Sequence, residues 1–85
     1  MIIKLYSGDA CPACKELKKR LVKLELTDYT ECDTADYDIK TELMALGLRS
    51  IPVLAVYNNN GVMMDTIVGN VASDAHLKEF FAWAT

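Results

Sequence analysis

No stretch of this chain is long and apolar enough to cross a membrane, and Met1-Ile2-Ile3-Lys4-Leu5-Tyr6 is too short an apolar run for a secretion signal. Both absences lead us to expect a protein of the reducing cytoplasm with no membrane partner. Positive charge is scarce too. Nine Lys and Arg against twelve Asp and Glu give a net charge of −3, which argues against nucleic acid or anionic lipid as the main partner. There is no internal repeat, low-complexity tract or linker, and 85 residues leave no room for a second core, so residues 1–85 are expected to form one domain. Cysteine is also sparse. Three cysteines in a reducing compartment suit catalysis or metal binding better than a disulfide framework. A four-residue disulfide loop would stabilise the fold by only about 2 kcal/mol, against nearly 5 kcal/mol for a loop of about a hundred residues.

What is present is a globular composition, 52% hydrophobic and 25% charged, arranged as alternating strands and helices. Ile2 to Tyr6 suits a buried strand. From Pro12 to about Leu26, the residues Ala13, Leu17, Leu21 and Leu24 recur at helical spacing, with Lys15, Lys18, Lys19 and Lys23 mostly outside that stripe. Tyr29 to Asp33 is a weaker strand. Thr34-Ala35-Asp36 can cap a second helix with Ile39, Leu43 and Leu46 inward and Gly47 as its stop. Val53 to Tyr57 is a strongly apolar strand, and Asn58-Asn59-Asn60-Gly61 turns it back into Val62 to Val68. Ser73 or Asp74 caps a last helix that buries Leu77, Phe80, Phe81 and Ala84, with Trp83 assigned to the core. The order βαβαββα implies an α/β fold, a four-stranded mixed sheet with helices on both faces.

The chemistry concentrates at Cys11-Pro12-Ala13-Cys14, where the first strand hands over to the first helix. A thiolate at a helix start is stabilised by unpaired N–H groups and the positive end of the dipole, which lowers its pKa. Cys11 is therefore the candidate nucleophile, leaning on the N–H groups of Ala13 and Cys14. Cys14, one turn inside the helix, is the more buried thiol that resolves the mixed disulfide. Lys15 favours the Cys11 anion and Asp9 opposes it. A different class of function, a zinc-binding domain, is open by count alone: Cys11, Cys14, Cys32 and His76 could supply four ligands. Otherwise Cys32 reads as a small buried residue and His76 as surface.

The element order and several motifs resemble the thioredoxin fold, in the short form that begins directly at the active-site strand, as in glutaredoxins. Cys11-Pro12-Ala13-Cys14 is similar to the active-site motif of both families. Gly47-Leu48-Arg49-Ser50-Ile51-Pro52-Val53-Leu54 resembles the segment that ends in a cis-proline and enters the third strand. The Asn60-Gly61 hairpin follows in place, and Val68-Gly69-Asn70 with Leu77-Lys78-Glu79-Phe80 resembles the glycine loop and closing helix. The resemblance spans nearly the whole chain.

It implies a thiol–disulfide oxidoreductase, a protein-disulfide reductase with no metal or other cofactor, monomeric and cytoplasmic, serving electron transport and redox homeostasis. The implied partners are disulfide-containing proteins, ribonucleotide reductase among them, and a thioredoxin reductase-type flavoenzyme or glutathione as the source of electrons. Pro52 would be cis and abut the thiols, with Ile51 pairing to an extended substrate; read alone, Pro52 could equally be an ordinary proline opening a strand. Ala10, Pro12, Ser50, Gly69 and Asn70 would border the same groove. The chain departs from the pattern at Ala10, where thioredoxins usually have tryptophan, and at Leu5, where they carry a buried acid. That second departure leaves the base for Cys14 unassigned. Ser7-Gly8-Asp9 replaces the glutaredoxin lysine, and Gly69-Asn70 replaces its tandem glycines, so a glutathione-dependent glutaredoxin is the alternative reading. An oxidase or isomerase running the same exchange in reverse is a third.

Overall fold

Seven elements follow one another along the chain, described by a computed structural model for residues 1–84: β1 (Ile2–Ser7), α1 (Pro12–Lys23), β2 (Thr30–Asp33), α2 (Tyr37–Ala45), β3 (Val53–Tyr57), β4 (Met63–Val68) and α3 (Asp74–Ala84). They build one four-stranded sheet in the order β2-β1-β3-β4. β1 runs parallel to β2 and antiparallel to β3, and β3 runs antiparallel to β4. The fold is thus the α/β arrangement expected, a mixed sheet with helices on both faces.

β3 is paired on both sides and buried throughout, which is why its sequence Val-Leu-Ala-Val-Tyr is apolar without alternation. β1 shows the period of two. Ile3 and Leu5 join Leu17 and Leu21 of α1 and Leu77, Phe80 and Phe81 of α3 on one face. Tyr6 points to the other face, among Cys32, Leu43, Val53, Ala55 and Tyr57, which α2 covers. The Asn58–Gly61 turn forms as expected: Gly61 donates its N–H to the Asn58 carbonyl (3.0 Å) and takes φ 76°, while the Asn58 side chain accepts from Asn60 and Val62. Its partner strand starts at Met63 rather than Val62, and a register shift beside Tyr57 leaves Met64 half-exposed.

Several sequence expectations are corrected. α1 stops at Lys23, short of Leu26, because Glu25 enters the left-handed region (φ 60°). The Leu26 N–H then reaches the Leu21 carbonyl (2.8 Å) and the Glu25 N–H that of Val22 (3.0 Å), the two bonds of a Schellman cap. Gly47 closes α2 in the same way at φ 76°, as expected. Ala13 faces solvent, and Cys14 takes the inward position in its stripe. Leu46 and Ile2 are exposed at the ends of their elements, and Tyr29 packs on the core from outside β2. Trp83 is 50% exposed, since Phe80, Phe81 and Ala84 already fill the inner face of α3. Asp36 caps α2 through the Asp38 N–H and Ser73 caps α3 through the His76 N–H. None of the helices among the described residues is long and apolar enough to cross a membrane.

Candidate functional site

Cys11 occupies the N-cap of α1 in extended conformation (φ −134°, ψ 97°), and Pro12 takes the first helical position, where its missing N–H costs nothing. The turn aims the Cys11 Sγ back over the helix start. There it accepts from the Cys14 N–H at 3.1 Å, and this is the one backbone donor on it among the described residues; the Ala13 N–H does not join it. Cys14, one turn on, is 1% exposed, and the two cysteines form a disulfide with their Cα atoms 5.2 Å apart. Cys11 itself is half-buried, with Ala10, Pro12 and Ala13 exposed around it. Of the two sulfurs, Cys11 is thus the more reachable and Cys14 the enclosed one.

Opposite this turn comes the segment before β3. The Ile51-Pro52 peptide is cis, as the resemblance implied, and the Ile51 carbonyl oxygen lies 3.9 Å from the Cys11 Sγ. Pro52 is buried, Ile51 half-buried and Ser50 exposed. The pairing of β3 with β1 begins at Val53, so the Ile51 backbone stands outside the sheet register. Gly69, at φ 81°, donates its N–H to the Pro52 carbonyl (2.7 Å), which places the glycine loop beside the cis-proline. Asn70 is tied down differently. Its side-chain oxygen accepts from the Arg20 guanidinium (2.7 Å), which also donates to the Ala72 carbonyl and the Asp74 carboxylate at 2.7 and 2.8 Å. The Arg20 bond holds the Asp74 carboxyl below its ordinary value.

Three supporting residues were not singled out from the sequence. A methyl group on Gly8 would sit 3.1 Å from both the Ile51 Cδ1 and the Thr34 Oγ1, so a glycine there lets Ile51 approach β1. Arg20 anchors the loop after β4 to α1, a role no local motif announces. Glu31 stands beside Leu5 in the parallel register and accepts from the buried Ser7 hydroxyl (3.4 Å) and from Lys18, one turn beyond Cys14 on α1.

The zinc constellation does not assemble. Cys32 lies in the cluster under α2, whereas His76 is exposed on α3 across the sheet, and Cys11 is bonded to Cys14. Among the described residues no group of three or more His, Cys, Asp and Glu could hold a metal. Burial pushes the Cys32 thiol above its ordinary pKa.

No family model matches the chain, and no curated protein sequence matches it. Solved structures do. Thioredoxin f from spinach chloroplast aligns with a TM-score of 0.74 over 98% of this chain and 74% of its own, at 20% identity. Plasmodium falciparum thioredoxin gives 0.71 over 99% and 85%, at 22% identity. The reduced C-terminal domain of DsbD from Neisseria meningitidis gives 0.69 over 99% and 80%, at 17% identity. The chain has the thioredoxin fold. Within the thioredoxin fold of this chain, the Cys11–Cys14 pair, the cis-proline and the Gly69 loop meet at one end of the sheet.

Proposed function

We propose that this chain is a thiol–disulfide oxidoreductase of the thioredoxin and glutaredoxin kind, reducing disulfides in other proteins. The observation that carries the reading is the asymmetric sulfur pair at the start of α1: Cys11 half-buried and supported by the Cys14 N–H, Cys14 enclosed behind it. In the reduced protein the Cys11 thiolate attacks one sulfur of a target disulfide. A Cys11–target bond forms, the target S–S bond breaks, and the leaving sulfur takes up a proton. Cys14 then loses its proton and attacks the Cys11 sulfur, releasing the second target thiol and closing the Cys11–Cys14 disulfide. Two electrons pass to the target, and a flavoenzyme using NADPH, or glutathione, returns them.

The open backbone of Ile51 is the surface on which an extended target segment would lie, as an added strand does. Ala10, Pro12, Ser50 and Gly69 border that surface with Pro52 packed beneath it, and Asn70 holds the glycine loop through Arg20. The redox cycle agrees with the structural neighbours, since the Neisseria domain is described in a reduced and an oxidised form. We place the protein in the cytoplasm as a single domain, with ribonucleotide reductase among its targets.

Cys14→Ser should trap a covalent adduct with a disulfide protein such as insulin, and Cys11→Ser should trap none. Adducts formed by the Cys11 variant alone would reverse the assignment. Reduction of the oxidised protein by thioredoxin reductase plus NADPH, compared with reduction by glutathione, decides between the two electron sources.

A further inference from the structure

Beside the disulfide, Ile51 forms one wall of a cavity of about 540 Å³ that opens between α2 and the segment before β3. Its apolar lining comes from Leu43, Met44, Leu48 and Ile51, and Thr34 with two cations, Lys40 and Arg49, completes it. Elsewhere Lys4, Lys18, Lys19 and Arg20 are matched to Glu42, Glu31, Glu16 and Asp74. Neither Lys40 nor Arg49 is in an ion pair among the described residues. Lys15, Lys23 and Lys78 also stand outside any ion pair among the described residues, but Lys40 and Arg49 are the two such cations that line this cavity. Of the acids on α2, Glu42 turns to Lys4 and Tyr6, and Asp36, one turn before Lys40, caps the helix through Asp38. This groove thus presents two cations outside any ion pair on an apolar lining.

A second cavity, of about 650 Å³, shares Lys40 and Met44 with the first and continues along the outer side of α2 to Tyr37. Tyr37 is 79% exposed and Met44 62% exposed, so apolar surface extends the length of the helix. Nine helical residues span about 13 Å, the length of about four residues of extended peptide. The groove starts where the Ile51 carbonyl faces Cys11 and leads away from it.

We infer that this groove selects targets by the chain next to the attacked cysteine, taking an extended segment of the target protein with acidic and apolar side chains. The inference rests on the disulfide-exchange reading of Cys11. Carboxylates of the segment would pair with Lys40 and Arg49 at the edge of a partly dry surface, and apolar side chains would cover Met44 and Leu48. Charge of this kind at a rim acts mainly on encounter and on KM, leaving the sulfur chemistry to Cys11 and Cys14.

The test uses the pre-reduced protein and two peptide disulfides identical except for the four residues beside one cysteine, Glu-Leu-Glu-Leu or Lys-Leu-Lys-Leu. Neutral 2-hydroxyethyl disulfide is run with the unaltered protein to read exchange alone. We expect the acidic peptide to be preferred by about tenfold in kcat/KM, mostly through KM. Lys40→Gln with Arg49→Gln should bring the ratio near one, and Lys40→Glu with Arg49→Glu should invert it. Equal kcat/KM for the two peptides, or a preference that both double variants leave intact, overturns the groove while turnover of the neutral disulfide keeps the exchange reading. Failure to reduce all three disulfides overturns the exchange reading and this inference with it.

Discussion

The two faces of the sheet are built differently. Between the sheet and α1 with α3, the core is made of carbon side chains alone: Ile3, Leu5, Leu17, Leu21, Leu54, Val56, Ile67, Leu77, Phe80, Phe81 and Ala84. The face under α2 has a smaller cluster, and its edge is polar. There the Tyr6 and Tyr57 hydroxyls share a hydrogen bond of 2.7 Å, Tyr6 also reaches Glu42 at 3.2 Å, and Lys4 bonds Glu42 while lying 4.8 Å over the Tyr57 ring. The cause is coverage. Two helices close the first face, but one nine-residue helix cannot close the second, so side chains there end in groups that water and each other can satisfy. The site draws on both. Cys14 is fixed to the closed face through α1, while Ile51 belongs to the open face and borders its groove.

If the faces differ as described, Leu21→Ala should cost about 3–4 kcal/mol and Leu43→Ala about 2 kcal/mol, because the site under α2 can collapse or admit water. Urea unfolding followed by far-UV circular dichroism measures both, and equal losses would erase the distinction. Tyr6→Phe should cost about 1–2 kcal/mol, by leaving Glu42 and the Tyr57 hydroxyl short of a partner. The same variant sharpens the comparison through pH. Burial and the Tyr57 hydrogen bond raise the Tyr6 pKa above its ordinary 10.0, so above pH 10 the unfolded chain loses that proton while the folded chain keeps it. The folded state then binds more protons, and stability falls as pH rises. Cys32 under α2 acts in the same direction from its ordinary 9.0, and Tyr29 on the closed face from 10.0. Tyr6→Phe should therefore flatten the decline above pH 10 without removing it; an unchanged slope would place the alkaline weakness elsewhere. The smallest effect concerns the helix ends. α2 ends on Gly47, but α1 ends on Glu25 at φ 60°, a conformation disfavoured for a side chain by about 1 kcal/mol. Glu25→Gly should raise stability by about 0.5–1 kcal/mol in the same unfolding assay.

How much of this was legible depends on how far apart the contributing residues lie. Cys11, Pro12 and Cys14 are neighbours, and their helix start follows from local rules, so the burial order of the two cysteines was readable. So was Gly47 as a stop. Ala13, Leu46 and Trp83 were misplaced inward because periodicity names a stripe without saying how wide its cover is. Leu24 and Leu26 suggested a longer α1, but a leucine can pack on the core from a helix cap as well as from a turn. Gly8 beneath Ile51, Glu31 beside Leu5 and Arg20 clamping Asn70 had no local signal at all, since each pairs segments between 26 and 50 residues apart.

The amino-acid sequence by itself determined the order of strands and helices, the turn at Gly61 and the placing of two thiols at a helix start, because those are set by near neighbours along the backbone. Only the tertiary structure decided which carbonyl faces Cys11, which acid stands beside Leu5 and why Lys40 and Arg49 line the groove outside any ion pair. Those outcomes depend on strand register and on how much of each sheet face the helices cover, and both are settled when distant segments compete for the same space.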